Sequence, residues 1–199
     1  MMNDSAPRTS DGDPLDAPTA ALAAAVLEIA RHVDGEALAA PRWFALARSA
    51  ELMARQPGIA ALLGDEASLA LAADSAPLTP IELDDVPRVH DPLRALAELA
   101  WPDIAFGGAV ALDLPAESWR SSLDAADDAA RRTADALRGG ALRVVVAASQ
   151  EGTTYSALRR DRGETSPGAA DADRFVLGPA LLPQLAEALA ESLRELPEG

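Results

Sequence analysis

The segment ALRVVVAASQEGTTYSALRRDR, residues 141–162, constrains the fold more than any other stretch. Two runs of alternating side chains flank Glu151-Gly152, a pair suited to a tight turn. Period-two alternation places Leu142, Val144, Val146 and Ala148 on one face of a strand. A chain reversal between two such runs is a β-hairpin, and a hairpin demands antiparallel pairing. That points to an α+β fold and away from a doubly wound parallel sheet.

Two further stretches carry the same period. In residues 41–48, PRWFALAR, Arg42, Phe44 and Leu46 alternate with Trp43, Ala45 and Ala47. In residues 104–114, IAFGGAVALDL, Val110, Leu112 and Leu114 form one face, predicted to be the buried one. Gly107-Gly108 within it permits a bulge or a close approach by a neighbour. With the hairpin these make an antiparallel sheet of about four strands. Pro77, Pro80 and Pro87 punctuate LTPIELDD, which reads as extended chain able to supply an edge strand. For the rest of residues 65–90, alanine leaves strand and helix undecided.

Helical periodicity brackets the sheet. Leu22, Val26, Ile29 and Val33 stripe a helix predicted over 18–33, with Pro18 in its first turn and Gly35 ending it. Leu182, Leu185, Leu189, Leu193 and Leu196 stripe a closing helix predicted over about 180–196. Between them, Ser49 is placed to cap a short helix that Pro57-Gly58 stops. Asp91 is placed to cap another, with Pro92 at its first position and Leu93, Leu96 and Leu99 on its buried side. Residues 119–138 read as a further helix and 161–174 as a mobile loop. Residues 1–17 offer almost nothing to bury and read as a disordered tail, so the expected organisation is that tail and a single α+β domain over 18–197.

Nearly a quarter of the 199 residues are Ala, and every basic residue is Arg. Alanine favours helix but buries little area, so the core must rest on fewer large side chains than the 49% apolar content suggests. Cys is absent, which removes disulfides, thiol catalysis and cysteine-ligated metal from consideration. The net charge of −15 opposes nucleic-acid backbones, so no nucleic acid is expected as partner. The apolar run Ala20–Ala30 contains Glu28 and is too short to span ~30 Å of hydrocarbon, so no membrane insertion is expected either. A cytoplasmic protein follows as the expectation.

No catalytic, cofactor or metal site stands out. His90 and Asp91 lie near Glu82, Asp84 and Asp85, but Asp91 has a better role as a helix cap. His32 lies beside the apolar stripe of the first helix, where a boundary histidine is the usual outcome. There is no nucleophile elbow and no glycine-rich phosphate loop. Four residues are candidates for contact with a partner. Trp101 and Pro102 stand where a helix meets a strand; the ring either plugs the core, which is the expectation, or projects outward as an anchor. Arg159 and Arg160 belong to a less compensated basic cluster with Arg162.

Three stretches, PRWFALARSAELMARQPG, SAPLTPIELDD followed by LAWPD, and VLGPALLPQLAEAL, together resemble an uncharacterised family of actinobacterial cytosolic proteins known by a locus-style tag. The similarity spans residues 20–196. It departs at Ala47-Arg48-Ser49, where the family prefers Val-Pro-Thr, and at Ile81-Glu82-Leu83, where it prefers Val-Glu-Gln. The resemblance implies no catalytic residue. The expected function is a non-enzymatic cytosolic protein-binding or adaptor protein, chaperone-like in fold, with sheet edges open to a partner. Its expected partner is another protein, and its expected state is a monomer or weak homodimer. The alternative is a small carboxylate- or Arg-dependent enzyme.

Overall fold

The computed structural model describes residues 15–55, 77–86, 89–114, 142–159, 175–178 and 182–194. In chain order these form α1 (Ala17–His32), β1 (Arg42–Arg48), α2 (Ser49–Arg55), β2 (Leu78–Glu82), α3 (Pro92–Ala97), β3 (Gly107–Leu114), β4 (Leu142–Ser149), β5 (Thr154–Arg159), β6 (Phe175–Gly178) and α4 (Pro183–Arg194). The predicted helix over 119–138, the loop 161–174 and the segment SLALAA lie outside the described residues.

The strands form one antiparallel sheet in the order β2-β1-β3-β4-β5-β6. The fold is α+β, as the hairpin demands, but the sheet has six strands and not about four. The four predicted strands are its middle; β2 and β6 flank them. The hairpin closes as expected. Gly152 donates to the Ser149 carbonyl and Ser149 donates to the Thr153 carbonyl. Gly152 stands at φ 86°, where a side chain would be strained, so three residues turn the chain.

Both faces of the sheet are buried. On one face, Trp43, Ala45, Val110, Leu112, Val144, Val146 and Leu158 meet α3 and α4. The α4 stripe of Leu185, Leu189 and Leu193 packs there, with Leu182 just before it, as the sequence spacing predicts. On the other face, Phe44, Leu46, Ala109, Ala111, Val145, Ala147 and Ala157 meet α1 through Leu22, Val26 and Ile29. The expectation of a single buried face on β3 is therefore corrected. Ala109 and Ala111 on its second face are buried in the α1 cluster, and their small size hid that face in the sequence.

Three local readings also change. Residues 15–17, read from the sequence as part of a tail, are ordered: Leu15 packs against the α1 cluster, and the Asp16 carboxylate caps α1 by accepting from the Thr19 N–H at 2.8 Å. Ser49 is the first residue of α2 and not its cap, and its hydroxyl meets that of Thr79 at 2.8 Å. In α3, Asp91 caps and Pro92 opens the helix as expected, but the buried residues are Ala95 and Leu96, and Leu93 is 45% exposed.

Trp101 joins the loop before β3 to both layers of the first face. It is 7% exposed, stands edge-on to Trp43 at 6.4 Å, and donates from Nε1 to Ser192 Oγ on α4 at 3.1 Å. Its ring lies flat where Gly108 has no side chain; a Cβ at Gly108 would collide with the indole. This is the close approach that the glycine pair permits. Trp101→Ala is expected to lower unfolding free energy in urea by about 3–5 kcal/mol, the range for deleting a core aromatic. Gly108→Val is expected to unfold the protein or displace the indole, seen as a red shift of Trp emission. A Trp101→Ala loss within ~0.5 kcal/mol, the range of surface substitutions, contradicts this packing.

Candidate functional site

Three arrangements among the described residues bring chemistry-bearing or unusual groups together. The first is ionic and mostly buried. Arg143 is 7% exposed at the start of β4, and its fork meets the Asp113 carboxylate on β3 at 2.7 Å through both Nε and Nη2. The same guanidinium donates to the carbonyls of Val33 and Glu36 just past α1, and the Leu38 N–H donates to Asp113. Antiparallel register sets Asp113 directly opposite Arg143. Burial pushes the Asp113 carboxyl up, but the Arg143 hydrogen bonds and the Leu38 N–H outweigh it, so the group sits below its ordinary value. Every partner is internal, so the arrangement clasps the end of α1 to the sheet.

The second arrangement is at the surface. Arg42 forks onto Glu82 at 2.6 Å through Nε and Nη2 and reaches Glu36 at 2.6 Å through Nη1. His32 Nε2 stands 3.2 Å from Arg42 Nη2 and 3.6 Å from Glu82 Oε2. The Arg42 hydrogen bonds hold Glu82 below the ordinary carboxylate range. His32, expected at the boundary of the core, is instead largely exposed and belongs to a charge network. Among the described residues no group of three His, Asp or Glu is arranged to hold a metal ion.

The third is an apolar groove of about 210 Å³. The N-terminal ends of α3 and α4 form its walls through Pro92, Leu93, Pro183 and Leu185, and Leu112 and Leu114 at the end of β3 form its floor. Asp91 and Gln184 are its polar lining. Leu93 at its side is the one exposed large hydrophobic side chain among the described residues. Such a concave apolar surface with few polar groups is a usual form of binding site. In the sequence the apolar spacing of α3 puts Leu93 on its buried side and hides the groove; the signal that does point to it is two Pro-opened helix starts, Asp91-Pro92-Leu93 and Leu182-Pro183-Gln184.

The sequence candidates fall elsewhere. Trp101 is in the core, so its ring presents no anchor surface. Pro102 is half-buried, and its carbonyl accepts from Ala105 in the turn into β3. Arg159 pairs with Asp34 at 3.2 Å. Arg160 lies outside the described residues. The open edge at β2 is also narrower than expected. Leu83 donates to the Trp43 carbonyl, and Leu46 faces Pro80 in register. Residues 79, 81 and 83 therefore turn their backbone groups toward β1, and Pro80 falls on the outer side, where it removes a donor from the edge.

The fold and groove define a small α+β protein with one antiparallel sheet enclosed between helices, and no helix among the described residues is long and apolar enough to cross a membrane. The family model for PPA1309-like protein matches residues 22–194, and the chain belongs to that family, an uncharacterised one with a locus-tag name. No curated protein and no solved structure matches the chain.

The Arg143 clasp sets an acid limit. A carboxylate whose folded pKa is depressed contributes stability above its unfolded pKa near 3.9, and that contribution is lost as pH falls through the folded value. Asp113→Asn is therefore expected to flatten the fall of the melting temperature below about pH 4. At pH 7 the substitution is expected to cost about 3 kcal/mol, the lower end for breaking a buried pair, because Asp113 is a fifth exposed. An unchanged acid limb in Asp113→Asn contradicts the assignment.

Proposed function

We propose that the chain is a non-enzymatic, cytosolic protein-binding or adaptor protein whose docking site is the apolar groove between α3 and α4. The observation that carries this reading is the groove itself, an apolar recess walled by leucines and prolines with the exposed Leu93 beside it. Its position fits the role. It sits on rigid elements, the ends of two packed helices and of a central strand, so it is largely pre-formed and little ordering entropy opposes binding there.

The enzyme alternative draws on the His32–Arg42–Glu82 cluster. Arg42 holds both Glu82 oxygens and keeps the carboxyl below its ordinary range, which makes it a weak base for a substrate proton. The groove is the better supported site.

The reading is tested by peptide-array selection on the full chain, followed by amide exchange of the selected complex. The expected footprint is protection confined to Pro92–Ala97 and Leu182–Leu185. Protection centred instead on β2 or the Arg42 cluster overturns the groove as the docking site.

A further inference from the structure

We infer that the groove's occupant is a basic segment of another protein that inserts one large apolar side chain, and not a second copy of this chain. The inference rests on the groove being the docking site, and it adds the chemistry of what docks.

Size sets the first limit. The groove measures about 210 Å³. An engineered apolar cavity of roughly 150 Å³ in another protein holds a benzene ring. The groove therefore accommodates one Leu, Phe or Met side chain and little more. A stable pair of globular subunits needs about 800 Å² buried on each partner. A one-side-chain recess is a small part of that, so it suits a short segment with a single anchor.

Charge sets the second. Two copies of a chain with net charge −15 repel one another, and a like-charged partner gains nothing from diffusional steering. The two helices that wall the groove repeat this excess locally. Around them Asp91, Glu98, Glu187 and Glu191 are exposed against Arg94 and Arg194. The Asp91 carboxylate also accepts from the Leu93 and Arg94 N–H groups, which offsets the positive end of α3. An apolar floor with an acidic surround is complementary to an apolar side chain flanked by Arg or Lys.

The test is fluorescence anisotropy on the full-length protein with three labelled amphipathic peptides of about 14 residues, or four helical turns. The first has a Leu/Phe face and Arg/Lys flanks. The second has the same face and Glu flanks. The third has the basic flanks and Ala on that face. The expected result is that the first binds about tenfold or more tighter than either other peptide, a difference of about 1.4 kcal/mol. Its binding is also expected to weaken as NaCl rises from about 0.05 to 0.5 M, where screening shortens the Debye length. Leu93→Gln is expected to weaken it at least severalfold, with an unchanged melting temperature because Leu93 is exposed. Equal binding of the basic and acidic peptides, both weakened by Leu93→Gln, overturns the basic occupant while the docking site stands. Absence of any Leu93-dependent binding overturns the docking site as well. A dimer in sedimentation equilibrium that Leu93→Gln dissociates names a second copy as the occupant and overturns the inference.

Discussion

The rest of the structure depends on the antiparallel pairing of β3 with β4, buried on both faces. Val110 faces Val146, Leu112 faces Val144, and Ala109 faces Ala147. On one face these strands present branched side chains to α4; on the other, three alanines and Val145 meet the large residues of α1. An interior at crystal-like density needs large and small groups to alternate across a contact. Here the sheet supplies the small partners, so an alanine-rich chain still fills its core. The two central strands thereby lie in the middle of a three-layer arrangement of helix, sheet and helices.

Polar groups in that arrangement have specific work. Arg143 and Asp113 occupy facing positions near the ends of their strands, where the chain leaving α1 passes over the sheet. Arg143 donates to the Val33 and Glu36 carbonyls in the chain just past α1, so a charged group becomes part of the fold with every contact internal. At the opposite face, Trp101 lies on Gly108 and ties α4 to the sheet through Ser192. With these two fixtures in place, the ends of α3 and α4 meet above the end of β3 and leave the groove between them. The proposed docking function lives on that last link, where packing of rigid elements leaves apolar surface open to water.

How much of this was legible follows from the residues. The hairpin, β1 and β3 were readable because alternation over six or more residues has few explanations, and the terminal helices because their large apolar residues recur at helical spacing over about three turns. β6 was not readable: Phe175-Val176-Leu177-Gly178 is too short for any period to show. The second buried face of β3 was hidden because Ala109 and Ala111 are compatible with either side of a sheet. The Arg143–Asp113 clasp left a trace, a single opposite charge in each of two otherwise apolar strands, but pairing them needed the register. Trp101 was legible as a core plug from its place where a helix meets a strand, but the partner that receives it, Gly108, was not. The groove was not, because its walls come from helices about 90 residues apart in sequence, and the stripe logic placed Leu93 inside.

Native-state amide exchange tests the central claim most directly. If the doubly buried β3–β4 pair is the frame, the amides of Val110, Leu112, Val144 and Val146, which lie between the two strands, exchange slowest, and only through global unfolding. The α3 amides and the edge strands then open at lower free energy, as expected for elements with fewer buried neighbours. Exchange at β3 and β4 as fast as at α3, or a most protected set within α1 alone, contradicts the account.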